Sequence, residues 1–295
     1  MPLSTTAIDV NRGTTGITLP QELRDVFITS MTEGSAVMQL ANRMVIPGAG
    51  VKMNIVTGDP TPAWTDESTE KPVSKPSFAN KTMVPYTLAV IVPFSNQFRR
   101  DLSSLYNAVI SRIPNALGRA FDQTVLFGDA PGENFDTLKN ADAVAIDAGT
   151  YDAVVGVMTS LATAGGSLNG FIMSPQANGV IMTARNESGD LEFPGYAPGG
   201  NLLDVRTLTR QHAYKAGSSA ANTLGFAGDW SQAYYGIVED VKLEYATEAT
   251  LNDGTNSINL FQRNMFAVRA EMEVGFVVKD DDYFKRLTDT YSAGA

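Results

Sequence analysis

From Ser95 to Gly128 apolar residues recur every three or four positions: Phe98, Leu102, Leu105, Val109, Ile110, Ile113, Leu117, Phe121, Val125 and Leu126. That spacing is one face of an α-helix. Ser95 is a suitable N-cap and Gly128 a suitable stop. About 33 residues at about 1.5 Å each predict a rod of roughly 50 Å. Pro114 lies inside the pattern, removes one backbone bond and predicts a bend in one long helix.

Two alternating runs precede this helix. Val51, Met53 and Ile55 alternate with Lys52 and Asn54, which is strand periodicity. The run 82–94 places Val84, Tyr86, Leu88, Val90 and Val92 on one face and Met83, Thr87, Ala89 and Ile91 on the other, predicting burial on both faces for part of its length. Pro85 points to an edge position or a bulge. Between the two strands runs an excursion over 57–81 with Pro60, Pro62, Pro72, Pro76, Lys71, Lys75 and Lys81, and with Trp64 and Phe78. Tight hairpins use two to five connecting residues, so a connection of roughly two dozen is expected to be functional. Its aromatics have little of their own loop to dock on.

Elsewhere helical and strand patterns alternate. Pro20 opens a short helical segment interrupted by Gly34, after a Thr- and Ser-rich start. A helix capped by Thr150 and stopped by Gly165-Gly166, a buried strand over 170–173 and a helix opened by Ser174-Pro175 follow. Strands are expected at Leu202–Thr209 and Thr223–Ala227, then a turn at Gly228-Asp229-Trp230 and a strand pair, Gln232–Val238 with Val241–Ala246. Near the C-terminus Phe266, Val268, Ala270, Met272 and Val274 alternate with Ala267, Arg269, Glu271 and Glu273. The charged face of that strand reads either as a solvated sheet surface or as an intersubunit ion-pair strip. Helices and short strands alternate after Gly128, giving an α/β or α+β unit.

Composition narrows the chemistry. Among 295 residues there is no cysteine and one histidine, so cysteine zinc sites, thiol nucleophiles and a histidine metal cluster are excluded within one chain. His212, in a polar stretch, reads as a surface residue. Asp280-Asp281-Asp282 lacks calcium-loop spacing and reads as a solvated turn. The sequence contains no G-x-S-x-G, P-loop or G-x-G-x-x-G pattern. No cofactor and no catalytic residue is expected. The net charge of −10 opposes general affinity for nucleic acid, and no apolar run reaches the roughly 20 residues of a membrane helix.

The order of these parts resembles the major capsid proteins of tailed bacteriophages, the Hong Kong 97-type fold. Four stretches carry the resemblance: the Trp64 loop with Glu67 and Glu70; the strand, long helix and Gly-Asp turn over 88–135; Phe171-Ile172-Met173-Ser174-Pro175 with Gly228-Asp229-Trp230 and Tyr234-Tyr235-Gly236-Ile237; and the closing strand and return over 263–287. The likeness runs from about Pro20 to the end.

The resemblance implies a shell subunit of hexamers and pentamers in an icosahedral head around double-stranded DNA, made in the host bacterial cytoplasm. It implies an N-arm and short helix over 1–40, a peripheral domain over 41–56 and 82–135 with its spine helix at 95–127, an extended E-loop over 57–81, an axial domain over 136–254, a peripheral-domain strand over 255–280 and a return to the axial domain over 281–295. Trp64, Phe78, Lys71, Lys75, Arg269, Glu271 and Glu273 are the candidate intersubunit contacts. A portal protein is an implied partner, and separate scaffolding and cement proteins are possible ones. The archetype's long N-terminal scaffolding segment and its lysine–asparagine cross-link have no counterpart by motif, so no cross-link is expected. The acidic balance fits a wall that does not hold the DNA it encloses. An encapsulin-like nanocompartment shell shares the fold, and particle contents separate the two. An α/β hydrolase is the remote alternative, and a small, non-assembling particle would favour it.

Overall fold

The computed structural model describes residues 34–290 apart from 59, 68, 72, 102, 218–220, 239–241, 253 and 255. The expected helical start at Pro20 and most of the N-arm lie outside the described residues.

The centre of the molecule is the strand predicted from the C-terminal alternation. It is β14, Met265–Val278. Along one side it pairs antiparallel with β4, Tyr86–Ser95, from Met265↔Ser95 to Val274↔Tyr86. Along the other side it pairs in turn with β11, Lys242–Ala246, and β10, Ala233–Ile237. Strand β1, Asn42–Val45, runs parallel to β10 and completes a five-stranded sheet. The two runs predicted to pair with each other, 232–238 and 241–246, therefore each pair with β14 instead. Segment 233–246 belongs with this sheet, although in sequence it follows strands of another.

One face of the sheet is covered by the long helix. Ser95 caps it as expected, accepting from the Phe98 N–H at 3.0 Å. Helix α2 spans Asn96–Asp101 and α3 spans Ser103–Phe127, passing through Pro114 without ending there. Ile110, Ile113, Leu117, Phe121 and Val125 bury against Phe266, Val268, Ala270, Met272, Val274 and Phe276. Phe94 stacks on Phe266 with centroids 5.6 Å apart, and Phe121 meets Phe276 edge-on at 6.1 Å. Each fully buried phenylalanine contributes about 2–3 kcal/mol by removal from water, so this layer contact anchors the fold.

Among the described residues no helix covers the sheet's other face. Tyr86, Leu88, Val90 and Val92 pack on the core, but Thr87, Ala89 and Ile91 are exposed. Burial on both faces, expected for this run, does not occur because β4 is an edge strand covered on one side only. The run is also not one strand. The pair β2, Val51–Gly58, and β3, Ser77–Met83, forms a separate two-stranded arm, and the chain breaks at Val84-Pro85 before β4. Proline has no N–H for a ladder, and Val84 donates to the Asn134 carbonyl instead.

A six-stranded sheet lies beyond the helix. Its order is β5 (Asp142–Ala145), β15 (Phe284–Thr288), β9 (Thr223–Gly228), β6 (Gly170–Met173), β8 (Val205–Thr209) and β7 (Asn201–Leu202). Alternate side chains serve two cores. Phe171, Met173 and Leu287 pack with Val154, Val157 and Leu161 of α4, Thr150–Thr163, and with Ala177 and Ile181 of α5, Pro175–Thr183. Ile172, Phe226 and Phe284 turn the other way, into the core shared with α3. Ser174 and Pro175 start α5 as predicted, the hydroxyl accepting from Ala177 N–H.

Two local expectations fail. Helix α4 is capped not by Thr150 but by Gly149, whose φ of 73° is a left-handed conformation suited to glycine. The expected strand over 202–209 is a hairpin, because Leu203 and Asp204 both have positive φ, 50° and 63°, and turn the chain between β7 and β8.

Candidate assembly surfaces

The arm carries four of the residues singled out in the sequence. The β2–β3 ladder runs from Val51↔Met83 to Gly58↔Ser77. Past it the chain is held by sparse bonds, Thr61 N–H to Ser74 Oγ at 2.8 Å and Thr69 N–H to the Asp66 carbonyl at 3.3 Å. Trp64 stands fully in solvent at 104% relative exposure, and Phe78 and Val73 are also exposed. Val73 escaped the sequence reading, although an aliphatic residue in a Pro- and Lys-rich loop is the same kind of signal as Trp64. Lys75 is exposed, and Lys71 donates to the Thr69 carbonyl.

Phe78 and Lys81 belong to the ladder of the arm rather than to a loop. Lys81 is pinned at its root, donating to Asp136 Oδ2 and to the Val278 carbonyl, each at 2.8 Å. Asp136 also accepts the Val278 N–H at 3.0 Å. These bonds join the root of the arm to the end of β14. Together with Asn140, Lys279, Asp280 and Asp281, this pair lines a polar cleft of about 440 Å³. Asp280–Asp282 form a tight exposed turn in which Asp280 accepts the Asp282 N–H, as the solvated-turn reading requires.

The remaining three candidates lie on the uncovered face of the five-stranded sheet. Arg269 pairs with Glu244, its cross-strand partner on β11, and approaches Glu271 at 3.4 Å. Glu273 shares the face. The structure thus brings Arg269, Glu271 and Glu273 together in one strip, separate from the arm. Ile91, exposed at 48% on β4 and in register with Arg269, adds apolar surface to this face that the sequence did not single out.

His212 is not a surface residue. Its side chain is 10% exposed, and Nε2 lies 2.8 Å from Oδ2 of Asp122, which is 0% exposed. Asp122 also accepts from Ser35 Oγ at 2.5 Å, from the Ala36 N–H at 2.7 Å and from the Val37 N–H at 3.3 Å. The carboxylate therefore caps α1, Ala36–Leu40, alongside the Ser35 hydroxyl. The polar look of 210–215 concealed a partner 90 residues away. The Gly228-Asp229-Trp230 turn is equally built in. Asp229 accepts from the Ser167 and Ser231 N–H groups and from Asn169, and Trp230 donates to the Gly170 carbonyl at 3.0 Å.

Ionisable groups are shifted by structural pairing. A hydrogen bond from Lys285 holds the Asp142 carboxyl below its ordinary range, and Lys139 does the same to Asp129. Burial raises the Tyr106 phenol far above its ordinary value, helped by its hydrogen bond with Tyr245. Among the described residues no cluster of three metal-ligating side chains occurs, and no helix is long and apolar enough to cross a membrane.

A model of the phage capsid family matches residues 15–289. The probable major capsid protein gp17 of Mycobacterium phage L5 is 27% identical over 290 residues, covering 92% of this chain and 88% of that protein. The major capsid protein of Staphylococcus phage 80alpha is 24% identical over 280 residues, covering 92% and 84%. A solved chain of Mycobacterium phage Adephagia superposes with a TM-score of 0.74 at 22% identity, covering 88% of this chain and 92% of that one. The capsid of an empty GTA particle gives 0.67 at 16% identity, covering 94% of each.

Proposed function

The chain belongs to the phage capsid family, as a major capsid protein of tailed-phage heads and not an enzyme, and from that premise we propose how its parts build the shell. Its place is the virion capsid, where it assembles with copies of itself. In our reading the copies form hexamers and pentamers of an icosahedral head that encloses double-stranded DNA. Residues 57–81 are the extended arm, the sheet around β14 with α3 is the peripheral domain, and the six-stranded sheet with α4 and α5 is the axial domain. A portal protein and separate scaffolding or cement proteins are the further partners this reading expects.

The observation that carries the proposal is Trp64, fully exposed on an arm that forms its own two-stranded sheet. A free tryptophan gains nothing from solvent. Buried on a neighbour it removes about 150–250 Å² from water, worth roughly 4–6 kcal/mol before ordering costs. We assign its target to the neighbouring subunit's peripheral domain, with Phe78 as a second anchor and Lys71 and Lys75 as polar contacts. The Arg269, Glu271 and Glu273 strip is the matching charged surface. No covalent cross-link is invoked.

The test is deletion of residues 60–80. The variant subunit should stay soluble and folded, with normal circular dichroism, yet fail to give stable particles in electron micrographs. Particles of normal number and stability would refute the assignment of the arm.

A further inference from the structure

The subunit's two broad surfaces differ in charge. Among the residues of α3 whose exposure is described, Ser111, Arg112, Ala116, Arg119 and Gln123 are exposed. The helix has one acid, Asp122, and it is buried and fully engaged. Its exposed charges are therefore the two arginines. Seven residues apart, they lie on one side of the helix with about 10 Å between them along the axis. Arg119 donates its Nε–H to the Asn115 carbonyl at 3.2 Å. The surface opposite, the uncovered face of the β14 sheet, carries Glu244, Glu271 and Glu273 against Arg269, with Lys242 at the register position opposite Glu271.

From this asymmetry we infer that Arg112 and Arg119 form a contact site for the phosphate backbone of double-stranded DNA. The inference rests on the reading of the chain as a shell around such DNA, and it assigns the α3 face to the interior. It replaces the expectation of a wall that does not hold its DNA, because the net charge of −10 is a total over the whole chain and not the charge of this face. Screening over about 8–10 Å confines a phosphate to the charges directly facing it. Arginine offers a planar fork of donors that fits phosphate oxygens in pairs. Two such groups on one side of a helix give a sequence-independent contact, weak in one copy and repeated over every copy of the shell. The Glu-rich face would repel the same polymer.

Two measurements test the site. Fluorescence anisotropy of the purified full-length subunit with a short DNA duplex reads binding against salt. Replacing both arginines (Arg112→Gln with Arg119→Gln) should lower the slope of log affinity against log salt by about 2, at roughly 0.9 per phosphate contact. An unchanged slope, or no duplex binding by the native protein at low salt, overturns the proposal. The second measurement uses DNA-filled particles. The chain has no cysteine, so Ala116→Cys and Ala89→Cys each accept a single iron–EDTA group, one on each surface. Hydroxyl-radical cleavage of the packaged DNA should occur from position 116 and be lost at position 89. Equal or reversed cleavage overturns the proposal. Should the cysteine variants not assemble, a cryo-microscopy map of native filled particles decides whether α3 or the sheet lies nearer the DNA. An arginine double variant that binds duplex like the native protein but forms no particles would assign the pair to a neighbouring subunit instead. Native protein that forms no particles would remove the shell reading, whatever the duplex assay shows.

Discussion

His212 Nε2 and Asp122 Oδ2 lie 2.8 Å apart across 90 residues of sequence, and their bond joins α3 to the short turn that follows β8. With Ser35 and the Ala36 and Val37 N–H groups on the same carboxylate, three separate parts of the chain meet at one buried charge. Removing the carboxylate leaves every one of those donors unmatched. Asp122→Ala is expected to destabilise the subunit by about 3–5 kcal/mol, and His212→Ala by about 1–3 kcal/mol. Urea unfolding followed by tryptophan fluorescence measures both, since Trp230 is buried. A double-mutant cycle should show coupling between the two positions.

Trp64 predicts the opposite pattern. At 104% exposure it has no packing within the subunit to lose. Trp64→Ala should change subunit stability by less than about 0.5 kcal/mol, while assembled particles come apart at lower denaturant. Light scattering of particles and urea unfolding of subunits separate the two effects.

Two helix-interior glycines offer a gain. A Cβ at Gly156 in α4 or at Gly179 in α5 meets nothing within 4 Å. Replacing each by alanine should stabilise by about 0.5–1 kcal/mol through reduced unfolded-state entropy, visible as a raised Tm in calorimetry. Gly225 is the contrast. Its Cβ would lie 2.4 Å from the Ile172 carbonyl oxygen across the β6–β9 ladder, so Gly225→Ala should lower Tm sharply.

Lys285 and Asp142 set a dependence on pH. The lysine is almost buried and its partner carboxylate, 2.7 Å away, is largely exposed. The folded-state pKa of Asp142 is lowered from 3.8 by the Lys285 hydrogen bond. A lowered carboxyl pKa contributes stability that is fully present above the unfolded value and is lost as pH falls through the folded one. Asp142→Asn should therefore lower Tm at neutral pH, with the gap to the native chain closing in acid below about pH 3.8. A constant gap across that window would show that the bond is not electrostatic.

The parts that could be read in the sequence are those whose pattern is local. The α3 face and the β14 alternation each repeat a period that a single element imposes, and Ser174-Pro175 is a cap written in adjacent residues. What failed depends on distant partners. β10 and β11 look like a hairpin until β14, some thirty residues on, takes both. The run after Thr82 looks doubly apolar, but whether Ile91 is covered depends on layers that one strand cannot encode. His212 sits among polar neighbours, and nothing near it points to Asp122. Positive φ at Leu203 and Asp204 is hidden because neither residue advertises it. Of the candidate contacts, the arm was legible because aromatics in a long polar loop are anomalous wherever they sit.

The break at Val84-Pro85 has a mechanical meaning. The arm's strands pair only with each other, so no ladder runs from the arm into the main sheet. Its root passes through Gly50, with φ of 81° and no room for a Cβ beside the Met83 carbonyl, and through a proline that cannot donate. Met83 is buried at this break against Ile46 and Val277. Tilting the arm about it strains the two Lys81 bonds and the one from Val84 while the register of every sheet is kept. A single polypeptide with such a pivot can face neighbours at more than one angle without refolding, which is the freedom that chemically identical subunits need wherever their surroundings are not identical.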